Sequence, residues 1–98
     1  LVALGEFRIK QALNAQNTPR LCNHFLKLAS CDLQRALALD GLEAETRTRG
    51  HLAFARIALL REEREQARDE LMMVASEAHR YEVPRIEAQA RDLLASIV

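Results

Sequence analysis

Apolar positions recur along this chain at spacings of three and four, the period of a helix with one buried stripe, and breaker residues divide the pattern into segments. Leu1, Leu4, Ile9, Ala12 and Leu13 mark a first helix that fades near Asn14, ahead of Gln16-Asn17-Thr18-Pro19. Thr18 stands where an N-cap belongs. Pro19 follows as the first helical residue, where its missing N–H costs nothing. The second helix is expected from Pro19 to about Leu39, with Asn23, Lys27, Ser30 and Gln34 as a narrow solvent stripe. Its apolar arc, Leu21, Phe25, Leu26, Leu28, Ala29, Leu33, Ala36 and Leu37, is wide enough to require packing on at least two sides.

Asp40-Gly41 supplies a stop, because Gly takes the left-handed conformation that ends helices. A third helix is expected from Leu42 to Leu60, and its apolar residues between Leu52 and Leu60 cover most of the circumference. Arg61-Glu62-Glu63-Arg64-Glu65 holds no apolar residue. The apolar phase changes across it, to Leu71, Val74, Ala75 and Ala78, which favours a tight turn over one continuous helix. A fourth helix then runs from about Glu63 to Arg80. Tyr81-Glu82-Val83 leads into Pro84, which opens a fifth helix ending with Leu93, Leu94 and Ile97.

Composition supports an all-α fold. Ala and Leu fill 32 positions while Val, Ile and Thr fill 11 of the 98, a preference for straight-chain helix formers over β-branched residues. The length and the 49% hydrophobic content suit a single helical domain, read as residues 1–41, 42–83 and 84–98. The opening Leu1 and the lack of a signal-peptide pattern make the chain read as a piece of a longer protein. No apolar run approaches the roughly 20 residues that span a bilayer, so no membrane contact is expected. Fourteen basic and fourteen acidic side chains cancel. A neutral total, with Glu43 and Glu45 interleaved among Arg47, Arg49 and Arg56, disfavours nucleic acid as a partner.

Catalytic and metal chemistry find no constellation. His24, His51 and His79 lack ligand spacing, and Cys22 and His24 point about 200° apart on one helix, so they cannot act as nucleophile and base. Cys22 and Cys31 also point to opposite sides and cannot pair with each other. They read as fillers in a reducing compartment, which places the protein in the cytoplasm. Gly5, Gly41 and Gly50 are isolated, so no phosphate-cradling loop exists. The alternating Arg and Glu from Arg61 to Glu70 read as a solvated face. No enzyme activity, no metal and no cofactor are expected.

An internal echo points elsewhere. Ala53-Phe54-Ala55-Arg56-Ile57-Ala58-Leu59 recurs as Ala88-Gln89-Ala90-Arg91-Asp92-Leu93-Leu94, an offset of 35 residues, within the range of helix-turn-helix repeats. Ala55, Ala58 and Ala67 would let two helices approach closely. In these residues the chain resembles the tetratricopeptide repeat (TPR) family, especially its arrays in bacterial regulatory proteins. Phe54, Ala55, Ala67 and Leu71 match the family's pattern of small and large apolar residues. Val74 stands where Ala is usual, His51 where an aromatic residue is usual, and Glu62 where Gly often closes the turn. The match covers Arg49 to about Tyr81, with Pro84 to Val98 as a following first helix or terminal cap, and residues 1–41 as a divergent hairpin.

The resemblance implies antiparallel helical hairpins in a right-handed superhelix and a non-catalytic protein-interaction module of a larger regulatory or scaffold protein, in transcription regulation or signal transduction. It also implies that the first helix of each hairpin lines the concave side. Arg49, Leu52, Arg56 and Leu59, spaced three, four and three, would then form one exposed stripe that Arg91 continues. Guanidinium groups beside leucines suit an acidic or amphipathic peptide segment. The competing readings are that these arginines only solvate the face or pair with Glu45 and Glu87, and that the chain is a self-associating bundle, a homodimer joined through its first two helices.

Overall fold

The structure is a computed structural model that describes residues 2–39 and 41–97. Leu1, Asp40 and Val98, which the sequence places in the first helix, in the stop after the second and at the end of the last segment, lie outside the described residues. Among the described residues five α-helices follow in order: α1 (Val2–Asn14), α2 (Pro19–Leu37), α3 (Ala44–Leu60), α4 (Arg64–Arg80) and α5 (Pro84–Ile97). No strand occurs among the described residues. The chain divides into two compact units, residues 1–41 and 42–98, with the boundary at Gly41.

In the first unit, α1 buries Val2, Gly5, Ile9 and Ala12, and α2 buries Leu26, Ala29, Leu33 and Ala36. Both stripes advance by three, four and three residues, so each keeps to one side of its helix. The two helices pack against one another, with the side chain of Leu33 directly over the backbone of Gly5. An Arg8–Asp32 ion pair at 3.6 Å spans the same pair. The strict stripe on α2 is narrower than its apolar arc: Phe25, Leu28 and Leu37 are half-buried and Leu21 is exposed. Thr18 does precede the Pro19 that opens α2, and its carbonyl accepts the Cys22 N–H at 2.9 Å. Its hydroxyl makes no capping hydrogen bond. Helix α2 ends at Leu37, two residues before the expected end, and Gly41 adopts φ +77° in the connection beyond it.

In the second unit, α4 packs against both α3 and α5. Leu52 and Ala55 of α3, Leu71, Val74, Ala75 and Ala78 of α4, and Ile86 and Ala90 of α5 form one apolar core. Leu59, Val83, Leu93, Leu94 and Ile97 close over its edges. Ala67 is fully buried as well. Two three-residue turns of the same construction set this arrangement. At the end of α3 the Glu62 N–H donates to the Leu59 carbonyl (3.0 Å) and the Glu63 N–H to that of Ala58 (2.9 Å). At the end of α4 the Glu82 N–H donates to His79 (3.2 Å) and the Val83 N–H to Ala78 (2.8 Å). This paired closure satisfies the last carbonyls of each helix and requires a left-handed residue at its centre. Glu62 at φ +61° and Glu82 at φ +58° occupy those positions, where Gly is ordinarily preferred.

Along α3 most positions are buried or half-buried. From Thr46 to Leu60 only Arg47 is exposed. The Thr48 hydroxyl, in a fully buried side chain, is satisfied by the carbonyls of Ala44 and Glu45 at 3.0 and 2.9 Å. The 35-residue echo aligns in burial at Ala55 with Ala90, both fully buried, and at Leu59 with Leu94, both half-buried on the same core. It does not align at Ala53, which is buried, and Ala88, which is exposed.

Candidate interaction groove on α4 and α5

The expected stripe on α3 is not an open surface. Leu52 is only 3% exposed and sits in the core with Leu71 and Val74. Leu59, on the same side as Ala55, is half-buried against that core. Arg49 and Arg56 are half-buried, and Arg49 is engaged by other groups of the protein. The physical reason is the distribution of apolar residues on α3. Leu52 and Leu59 share the side of α3 that carries Ala55, and that side packs on Leu71 and Val74 of α4, so the leucines of the stripe belong to the core rather than to an open surface.

Arg91 is different. Its side chain is 62% exposed, and it lines a shallow groove of about 400 Å³ between α4 and α5 together with Met72, Ala75, Ser76, His79 and Leu94. Met72, Ser76 and His79 follow at spacings of four and three, so α4 presents them on one face. Ala75 and Leu94 form an apolar floor tied to the core, and Met72 rises beside them at 57% exposure. Met73 and Tyr81 are exposed on the same helix and at its end.

One carboxylate organises the charged end of this groove. Glu87 Oε2 accepts hydrogen bonds from Arg91 Nε (3.3 Å) and Nη2 (3.0 Å), one turn apart on α5. His79 Nδ1 lies 3.4 Å from Glu87 Oε1 and 3.3 Å from Oε2, so the same carboxylate reaches from α5 to the last turn of α4. The Arg91 hydrogen bonds, with a lesser contribution from His79, hold the Glu87 carboxyl below the usual carboxylate range against a smaller opposing effect of burial. The expected pairing of Arg91 with Glu87 is therefore present. It leaves the arginine on the open surface while fixing one edge of its guanidinium.

The groove residues Met72, Ala75, Ser76, His79 and Leu94 were not singled out by the sequence as candidates for binding. Each is an ordinary member of a helical pattern, and only the pairing of α4 with α5 brings them beside Arg91. Among the described residues no group of three or more His, Cys, Asp or Glu side chains is placed to hold a metal ion. Cys22 is half-buried, Cys31 is exposed, and both are free thiols. Among the described residues no helix is long and apolar enough to cross a membrane. No protein-family model matches the chain, and neither a curated protein nor a solved structure matches it.

Proposed function

We propose that this chain is a non-catalytic protein-interaction module, built of TPR-like antiparallel hairpins and acting within a larger regulatory or scaffold protein. Its docking surface is the groove between α4 and α5. The observation that carries this reading is the exposure of Met72 and Met73 (57% and 49%) on a helix whose neighbouring groove also holds an exposed arginine. Methionine side chains adapt to varied apolar partners, and arginine beside apolar groups is the usual make-up of an interface anchor. The three-residue turns after α3 and α4, and the buried Ala55 and Ala67, suit closely packed repeat hairpins. The free thiols fit a reducing compartment such as the cytoplasm.

The test is a photo-crosslinking residue placed at Met72 or, as a control, at Arg64 in the whole protein. Adducts formed at the Met72 position, lost when Arg91→Glu is added and unchanged at Arg64, support the groove. Equal adducts at both positions, or none at Met72, reject it. A second reading, self-association into a structural bundle, is favoured by a separate observation: Leu4, Phe7, Leu13, Leu21 and Leu39 are all exposed in the first unit. Sedimentation separates the two, since a monomer supports the groove reading and a dimer independent of concentration supports the bundle.

A further inference from the structure

The chemistry of the groove lining narrows the partner, given the reading above that the groove is a docking surface. Of its six lining residues, Arg91 carries the only fixed charge, His79 and Ser76 are polar, and none is a carboxylate. Glu87 sits beside the groove rather than in it, and engages Arg91 through Nε and Nη2 on one oxygen. A guanidinium presents its donors as a planar fork, so an arginine held by its Nε edge still offers the Nη1–Nη2 edge to a second carboxylate. The pairing thus orients the arginine without using up its donors. Leu94 follows Arg91 by three residues, an advance of about 4.5 Å along the helix. A strand repeats on one face at about 6.6 Å, whereas a helix places residues i and i+3 about 4.5 Å apart along its axis. Met72 to His79 extends the α4 wall over about 10 Å, close to two helical turns.

We infer that the groove receives one face of an amphipathic helix from a partner protein, which sets a carboxylate on Arg91 and, one turn away, a large apolar side chain over Met72 and Leu94. A single arginine beside an apolar floor does not suit a polyanion, whose binding needs several phosphate contacts. A helix with an acidic residue one turn from a leucine satisfies both halves of the lining at once.

The probe is an alanine-based helical peptide of about sixteen residues, long enough to hold a helix, with two leucines one turn apart and one glutamate a turn further on. A control peptide carries glutamine in place of the glutamate. Each is titrated into the isotopically labelled whole chain and followed by amide chemical shifts. Shifts centred on Met72, Ser76, His79, Arg91 and Leu94 are expected, with the glutamate peptide binding about tenfold more tightly, equivalent to about 1.4 kcal/mol. Arg91→Gln removes that preference, and Arg85→Gln, an exposed arginine of α5 outside the groove, retains it. Equal binding of both peptides at these residues, or a preference that survives Arg91→Gln, overturns the carboxylate assignment while the groove reading stands. Shifts centred elsewhere, or none at millimolar peptide, overturn both. Concentration-dependent shifts of the same residues without peptide identify a second copy of this chain as the occupant and overturn the partner helix.

Discussion

Gly5→Ala gives the sharpest test of the packing in the first unit. On an exposed helix this change stabilises by up to about 1 kcal/mol, because alanine loses less freedom on folding. Here a β-carbon at position 5 would lie 2.7 Å from both Cγ and Cδ2 of Leu33 and 3.4 Å from Cδ1. Ordinary carbon contacts are about 3.5–4.0 Å, so Leu33 or the helix must give by about 0.8 Å or more. Leu33 is fully buried, and Cγ is not the flexible tip of the side chain, so the strain passes to the α1–α2 spacing. Overpacking of this kind costs about 1–3 kcal/mol. After the helix-propensity gain is subtracted, Gly5→Ala should destabilise by about 0.5–2 kcal/mol in a urea titration followed by circular dichroism. The same change in a Leu33→Ala background should be neutral or stabilising, since the clash is gone. A stabilised Gly5→Ala single variant would refute the close approach of α1 and α2.

Glu62→Gly and Glu82→Gly should each stabilise by about 0.5–1 kcal/mol, because both positions hold left-handed backbone that strains any side chain; unchanged or lowered denaturation midpoints count against these turns. Ala67→Leu should lower stability by about 1–3 kcal/mol through overpacking of a fully buried site, and an unchanged melting temperature would show that position 67 is open. Glu87 titrates below its ordinary 4.5, so its pairing stabilises the protein above that pH and is lost as pH falls through the lowered value. The stability difference between wild type and Glu87→Gln should therefore shrink on acidification below 4.5, and a difference independent of pH would show that the pairing with Arg91 and His79 does not form in solution.

Local signals announced the elements well. Pro84 opens α5, Thr18-Pro19 opens α2, and the phase change across the polar run after Leu60 marks a turn at Arg61–Glu63. The two turn centres were less legible, since Glu62 and Glu82 take a conformation that Gly or Asn would have signalled. Gly5 read only as an isolated glycine, and its use emerges from Leu33 across the interface. The exposure expected for Leu52 and Leu59 of α3 did not hold, because the spacing that groups them with Arg49 and Arg56 also groups them with Ala55 on the core side. The α4–α5 groove could not be read in advance, because it joins Met72 and His79 to Arg91 and Leu94 across two helices whose mutual rotation is a tertiary property.

The proposed placement of a docking surface on α4 and α5, rather than on α3, is tested most directly by the affinity of the glutamate-bearing helical probe for two single variants of the whole protein. Arg91→Gln removes the exposed guanidinium of the groove, and Arg56→Gln removes a half-buried one on α3. Binding about tenfold weaker for Arg91→Gln and unchanged for Arg56→Gln is the predicted result. Weaker binding for Arg56→Gln with Arg91→Gln unaffected contradicts it and returns the interaction site to α3.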